Sequence, residues 1–151
     1  MRSERRRAST APRAVFIDSS AFYALTDESD RHHTVARALM EKLAEAGTRL
    51  HTTNFILAES HQLLLARTRR VDTALAFLTR IYHSEHITII RVGPADEQSA
   101  LAILTRYTDK QFSFTDATSF AIMERLRIRH AFTFDADFAQ YGLLTLQAEQ
   151  F

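Results

Sequence analysis

Apolar residues along this chain switch repeatedly between two spacings, and the switches mark out its elements. Ala14-Val15-Phe16-Ile17 is an unbroken apolar run that stops abruptly on Asp18-Ser19-Ser20. A run of that kind suits a strand covered on both faces of a sheet, with Asp18 at its carboxyl end. A short helical turn over residues 20–25 and a polar loop, Asp27-Glu28-Ser29-Asp30, follow. Val35, Leu39 and Leu43, with Ala36, Ala38 and Ala46, then recur at helical spacing up to Gly47, which can cap that helix at its C-terminus. Residues 49–53 read as a second strand. Thr53 or Asn54 caps the next helix, in which Ile56, Leu57, Ser60, Leu63, Leu64 and Arg67 keep the period. Asp72 is placed to cap a further helix through Leu75, Leu78 and Tyr82.

The run over residues 86–92 is the most strand-like of all, rich in β-branched residues and closed by Gly93-Pro94. Pro94 with Asp96 and Glu97 opens a helix to about residue 107, the acids sitting where a helix N-terminus favours negative charge. Another helix spans about 115–127. A strand follows at 130–134, then a turn over 135–142 and a last short strand at 143–146. Strands alternating with helices predict an α/β fold: three layers, α/β/α, around a central, mostly parallel sheet of about five strands. No internal repeat interrupts this pattern, so residues 14–151 are expected to form one domain.

Composition narrows the class of protein. There is no cysteine among the 151 residues, which removes disulfides and thiolate metal sites and suits a reducing compartment. No apolar run approaches the roughly 20 residues that span a bilayer, and no apolar signal core follows the basic start, so a soluble, cytoplasmic protein is expected. The net charge of +1 conceals an asymmetry, because Arg2, Arg5, Arg6, Arg7 and Arg13 face only Glu4 in the first fourteen residues, leaving 14 basic and 17 acidic side chains beyond them. Residues 1–13 are read as a basic, disordered arm, either a solubilising tail or a contact for nucleic acid. Arg67, Arg69, Arg70, Arg125, Arg127 and Arg129 gather at two helix ends, where both dipole stabilisation and phosphate contact are open readings.

Four acids stand out by position. Asp18 and Asp135 end strands on the same edge of a parallel sheet, the edge where ligands bind in open α/β folds. Asp116 sits in the first turn of a helix, and Glu59 follows the second strand by about one and a half turns. Taken singly, each has a structural explanation: Asp18 and Asp135 as turn caps, Asp116 in a capping box with Ser113, Glu59 as a solvated helical residue. Taken together, four unpaired carboxylates with apolar neighbours would repel one another and rise in pKa unless a cation neutralised them. Ligands made only of oxygen favour Mg²⁺ or Mn²⁺, and such a site polarises a phosphodiester and activates water. With glycine only at 47, 93 and 142 there is no GxGxxG, no P-loop and no GxSxG elbow. An aspartyl-nucleophile phosphatase would want an acid at position 20, where Ser20 stands. The pairs His32/His33 and His83/His86 find no matching ligands and read as surface residues.

These stretches resemble the PIN-domain ribonucleases, and especially the VapC-like toxins of bacterial toxin–antitoxin pairs. The resemblance spans about residues 14–147. It rests on Val15-Phe16-Ile17-Asp18-Ser19-Ser20-Ala21, Thr52-Thr53-Asn54-Phe55-Ile56-Leu57-Ala58-Glu59, Phe112-Ser113-Phe114-Thr115-Asp116-Ala117 and Thr133-Phe134-Asp135-Ala136-Asp137-Phe138. It implies that Asp18, Glu59, Asp116 and Asp135 hold Mg²⁺ or Mn²⁺ and carry catalysis, with Asp137 as an auxiliary ligand. Ser19, Ser113 and Thr133 would orient the carboxylates or a water. It also implies an RNA substrate, a small antitoxin partner and a homodimer. The Arg-rich arm is not part of the family pattern. A non-catalytic RNA-binding or assembly module on the same fold stands as the alternative, and a phosphatase acting on small phosphoesters as a third.

Overall fold

The computed structural model describes residues 10–147, so the first nine residues of the Arg-rich arm and the last four of the chain lie outside the described residues. Five strands form one sheet: β1 (Ala14–Ile17), β2 (Arg49–Thr53), β3 (Ile87–Ile90), β4 (His130–Phe132) and β5 (Leu144–Thr145). Their order is β3-β2-β1-β4-β5 and every pairing is parallel. The helices are α1 (Ser19–Thr26), α2 (His33–Glu45), α3 (Asn54–Thr68), α4 (Val71–Tyr82), α5 (Pro94–Arg106), α6 (Phe114–Leu126) and α7 (Asp137–Tyr141). They cover the sheet as the outer layers of an α/β/α sandwich, α1 packing on α2 and α3, α3 on α4, and α5 on α6.

That strand order fixes where a site can form. From β1 the chain builds outward through β2 to β3, then returns to the other side of β1 for β4 and β5. The reversal opens a crevice beyond the carboxyl ends of β1 and β4. In register, Ile17 lies opposite Phe132, and the Asp18 N–H donates to the Phe132 carbonyl across a 3.0 Å bond. The two chains therefore leave the sheet side by side, β1 into Asp18 and β4 into Thr133.

The core beneath this crevice is dominated by phenylalanine. Phe16, Phe120, Phe132 and Phe138 are wholly buried, and Phe120 meets Phe138 edge-on with ring centroids 5.1 Å apart. Each such side chain contributes up to about 3 kcal/mol of burial free energy. α6 is buried all round from Asp116 to Met123. Its hydroxyls are accommodated because Thr118 and Ser119 both donate to the Thr115 carbonyl.

Element boundaries differ from the pattern reading where polar groups intervene. β4 ends at Phe132 rather than 134 because the Phe134 N–H donates to Ser20 Oγ (2.9 Å) instead of continuing the ladder. β3 stops at Ile90, and the Val92 N–H goes to Asn54 Oδ1 (2.9 Å). The stretch 135–142, read as a turn, contains the five-residue α7, closed by Gly142 at φ 109°. Asp72 is not the cap of α4: Arg70 occupies that position, and Asp72 lies in the first turn, 2.8 Å from Arg70 Nη2. Thr53, not Asn54, caps α3 by accepting from the Ile56 N–H. Pro12 and Arg13 are already tied to the body, their carbonyls accepting from Thr48 Oγ1 and the Arg49 N–H.

Candidate active site

Asp18 is carried to the crevice by the end of β1 and is only 3% exposed. Although it occupies the N-cap position of α1, its side chain makes no capping bond. Instead Oδ2 accepts from Thr133 Oγ1 (2.8 Å) and Ser20 Oγ (3.0 Å), while Oδ1 lies 3.4 Å from Ser19 Oγ. The Ser19 hydroxyl also donates to Glu59 Oε1, so one hydroxyl joins β1's acid to the acid of α3. Glu59 is half-buried here rather than solvated on an outer face.

Asp116 enters from the first turn of α6. The capping box is present: the Asp116 N–H donates to Ser113 Oγ and the Ser113 N–H to Asp116 Oδ2, both at 3.0 Å. This does not exclude a role in the cluster, since ligand oxygens of Asp116, Asp135 and Asp137 lie within 4.8 Å of one another. Asp135 is exposed and accepts through Oδ1 from the Asp137 N–H (3.1 Å), the turn that opens α7. Its own N–H donates to Thr133 Oγ1 (3.0 Å), so Thr133 links the β1 acid to the α7 acids.

Electrostatics run through the five carboxylates as one chain. Burial pushes Asp18 up from 3.8 to about 6, against the hydrogen bonds from Thr133, Ser19 and Ser20, and the charge of Glu59 adds to the rise. Asp116 is raised by burial and by the charge of Asp18. Asp137 is pushed up to about 6, first by burial, then by its hydrogen bond with Asp116 and the charges of Asp135 and Asp116. The ion pairs among the described residues, Arg37–Glu41, Arg70–Asp72, Lys110–Asp109 and Arg125–Asp96, lie elsewhere. Acids held together without a basic partner fit a cation. The donors are all hard oxygens, and two oxygens on one Mg²⁺ at about 2.1 Å lie at most about 4.2 Å apart. Small rotations would bring the Asp116, Asp135 and Asp137 oxygens to that spacing.

Of the acids singled out in the sequence, Asp116, Asp135 and Asp137 come within ligand spacing of one another. Asp18 and Glu59 lie outside that group, linked to each other through Ser19 and, for Asp18, to the Asp135 N–H through Thr133. The Ser113 hydroxyl meets the Asp116 N–H. One residue escaped sequence reasoning. Ser20 donates to Asp18, lies 3.1 Å from Thr133 Oγ1 and receives the Phe134 N–H. Its signal was the second hydroxyl of Asp18-Ser19-Ser20, facing the neighbouring strand's exit. The histidine pairs are not ligands in this cluster: His32 stacks on Phe134, and His33 Nδ1 lies 2.7 Å from the Ala24 carbonyl.

Comparison with known proteins agrees with this architecture. The model of the PIN domain family matches residues 15–144. The chain is 33% identical over 139 residues to the 23S rRNA-specific endonuclease VapC20 of Mycobacterium tuberculosis, covering 89% of this chain and 99% of that one. It is 31% identical over 118 residues to a VapC ribonuclease of Archaeoglobus fulgidus, covering 77% and 74%. The crystal structure of the Mycobacterium VapC20, a sarcin–ricin loop cleaving toxin, superposes with a TM-score of 0.77 at 30% identity over 86% of this chain and 96% of that one. The chain belongs to the PIN-domain family. Within that family it is a VapC-like PIN ribonuclease.

Proposed function

We propose that this VapC-like ribonuclease is an Mg²⁺- or Mn²⁺-dependent endoribonuclease toxin whose metal is held by Asp18, Glu59, Asp116 and Asp135, with Asp137 assisting. The observation that carries the reading is the cluster of Asp116, Asp135 and Asp137, with Asp18 and Glu59 joined to each other by Ser19 and Asp18 joined to the Asp135 N–H by Thr133. A divalent ion bound there supplies Lewis-acid polarisation of a phosphodiester and a nucleophilic water near neutral pH. The chain's own groups set the stage for it. Thr133 and Ser20 hold Asp18 Oδ2, fixing which oxygen turns inward. Ser19 draws Glu59 toward Asp18. Ser113 fixes Asp116 Oδ2, leaving the other oxygen to the cluster. Asp137, pushed up to about 6 by burial and by its hydrogen bond with Asp116, shares a proton with Asp116 only below that pH when no cation is present.

The likeness to VapC20 makes a ribosomal RNA loop the first substrate to try, and a small antitoxin and a second copy of this chain the partners to seek. Among the described residues no helix is long and apolar enough to cross a membrane. The test is cleavage of RNA by purified protein in Mg²⁺ or Mn²⁺, abolished by chelation and by Asp116→Asn. Protein that binds RNA normally yet never cuts it with either metal would instead support the binding-module alternative.

A further inference from the structure

Beside the acids opens a cavity of about 350 Å³, within the range of small-ligand sites, bounded by Tyr23, Arg31, His32, Arg67 and Phe134 and also by the acids Asp30 and Asp135. Its walls are not those of an ordinary surface dent. His32 and Phe134 lie face to face, centroids 4.3 Å apart and planes 7° from parallel. Phe134 stands between Thr133, which donates to Asp18, and Asp135 of the acid cluster, and Ser20 holds its N–H. The Phe134 backbone is thus held between a residue bonded to Asp18 and one that is itself an acid of the cluster. The His32 backbone is held as well, its N–H donating to Asp30 Oδ1 at 2.9 Å.

Two guanidinium groups complete the cavity. Arg67 lies over the Tyr23 ring, 4.7 Å from its centroid, and Tyr23 is itself tied by its hydroxyl to Asp27 at 2.5 Å. Arg31 Nε donates to His32 Nε2 (3.1 Å), which keeps its charge beside the stacked rings. Neither Arg31 nor Arg67 is in an ion pair with a described residue. Flat rings beside guanidinium groups held outside any ion pair of the described residues suit an unpaired nucleotide: stacking for its base, positive charge for its phosphate.

We propose that this cavity binds one unpaired RNA nucleotide flanking the scissile phosphate, its base against the His32–Phe134 rings and its phosphate facing Arg31 and Arg67. The proposal rests on the nuclease reading for its substrate and extends it.

The probe is a single-stranded RNA oligonucleotide carrying 2-aminopurine at successive positions, bound to the full chain with Ca²⁺ replacing Mg²⁺ so that the strand stays whole. The chain contains no tryptophan, so the probe's fluorescence is read without interference. Quenching is expected at one or two adjacent positions. Phe134→Leu and His32→Ala are each expected to abolish that quench and weaken binding about 5- to 100-fold. Phe134→Tyr retains both. Arg67→Gln lowers affinity and reduces the salt slope by about one. In Mg²⁺ the ring variants raise KM with little change in kcat, whereas Asp116→Asn removes turnover. If both ring variants leave affinity, quench and KM within twofold of the parent protein, the cavity proposal is overturned while cleavage stands. Ring-dependent quenching by a protein that never cleaves with Mg²⁺ or Mn²⁺ would support the cavity and overturn the nuclease reading instead. An equally tight, unquenched duplex of the same sequence also overturns the proposal.

Discussion

Replacing Asp18 by Asn should make the metal-free protein more stable at neutral pH while removing its activity. The buried carboxyl is held at about 6 against an ordinary 3.8, burial being the main cause. The folded state therefore binds the Asp18 proton more tightly than the unfolded chain does, and the group's favourable contribution is present below about 4 and lost as pH rises through 6. At about 1.4 kcal/mol for each tenfold change in proton affinity, ionised Asp18 costs the folded protein about 3 kcal/mol at pH 8. Asn preserves the shape. Its carbonyl can still accept from Thr133 and Ser20 at the Oδ2 position, and its NH₂ faces Ser19 Oγ, which remains free to donate to Glu59. Allowing about 1–2 kcal/mol for weaker bonds to a neutral acceptor, the net gain is about 1–2 kcal/mol, or about 2–8 °C in melting temperature for a chain of this size. The assay is thermal melting of both proteins in chelator from pH 4 to 8, then with Mn²⁺. The difference between the two should grow across pH 4–6 and level off above it, and Mn²⁺ should reverse the order by stabilising the parent more. If Asp18→Asn is less stable than the parent at pH 8 in chelator, and their difference does not change with pH, ionised Asp18 is not the burden inferred here.

Further outcomes follow from the same geometry. Thr133→Val, which strips the hydroxyl from Asp18 Oδ2 and the Asp135 N–H, should weaken Mn²⁺ binding about 10- to 100-fold by titration calorimetry with the fold retained. Affinity for Mn²⁺ should rise between pH 5 and 7, because Asp18 and Asp137 shed protons near 6 and ligands must be ionised to bind; a flat calorimetric profile there would contradict the assignment. Phe138→Ala, emptying a wholly buried ring against Phe16 and Phe120, should cost about 3–5 kcal/mol by urea denaturation. Arg127, which ends α6 at φ 56°, is strained for a side-chain-bearing residue, so Arg127→Gly should be stabilising by up to about 1 kcal/mol in the same assay.

The sequence carried the elements well where burial alone decides. The unbroken run before Asp18 belongs to the buried central strand β1, whereas β3, at the sheet edge and only half-buried, was legible from its β-branched residues instead. It carried boundaries poorly wherever a side chain from a distant element competes for the backbone. Nothing near Phe134 announces that Ser20, 114 residues away, takes its N–H, nor near Val92 that Asn54 does. α7 was hidden because five residues are too few to show a period. Likewise, Asp18 at a strand end and Asp116 in a capping box were legible singly, but not their connections, and Asp135 lies in the turn beyond β4 rather than at its end. That Ser19 joins Asp18 to Glu59 depends on the register of β1 against β2, and that Thr133 joins Asp18 to Asp135 on the register of β1 against β4, neither of which any local pattern encodes. The arginines divided by geometry too: Arg70 and Arg125 are in ion pairs, whereas Arg67 rests on Tyr23 beside the crevice.

The most direct examination of the acid cluster is anomalous diffraction from crystals of the protein grown with Mn²⁺. A manganese peak is expected in the crevice between β1 and β4, with carboxylate oxygens of Asp18 and Asp116 at about 2.1–2.3 Å, lost in Asp116→Asn. Fully loaded crystals with manganese bound only elsewhere, and the Asp18 and Asp116 carboxylates bare, would contradict it.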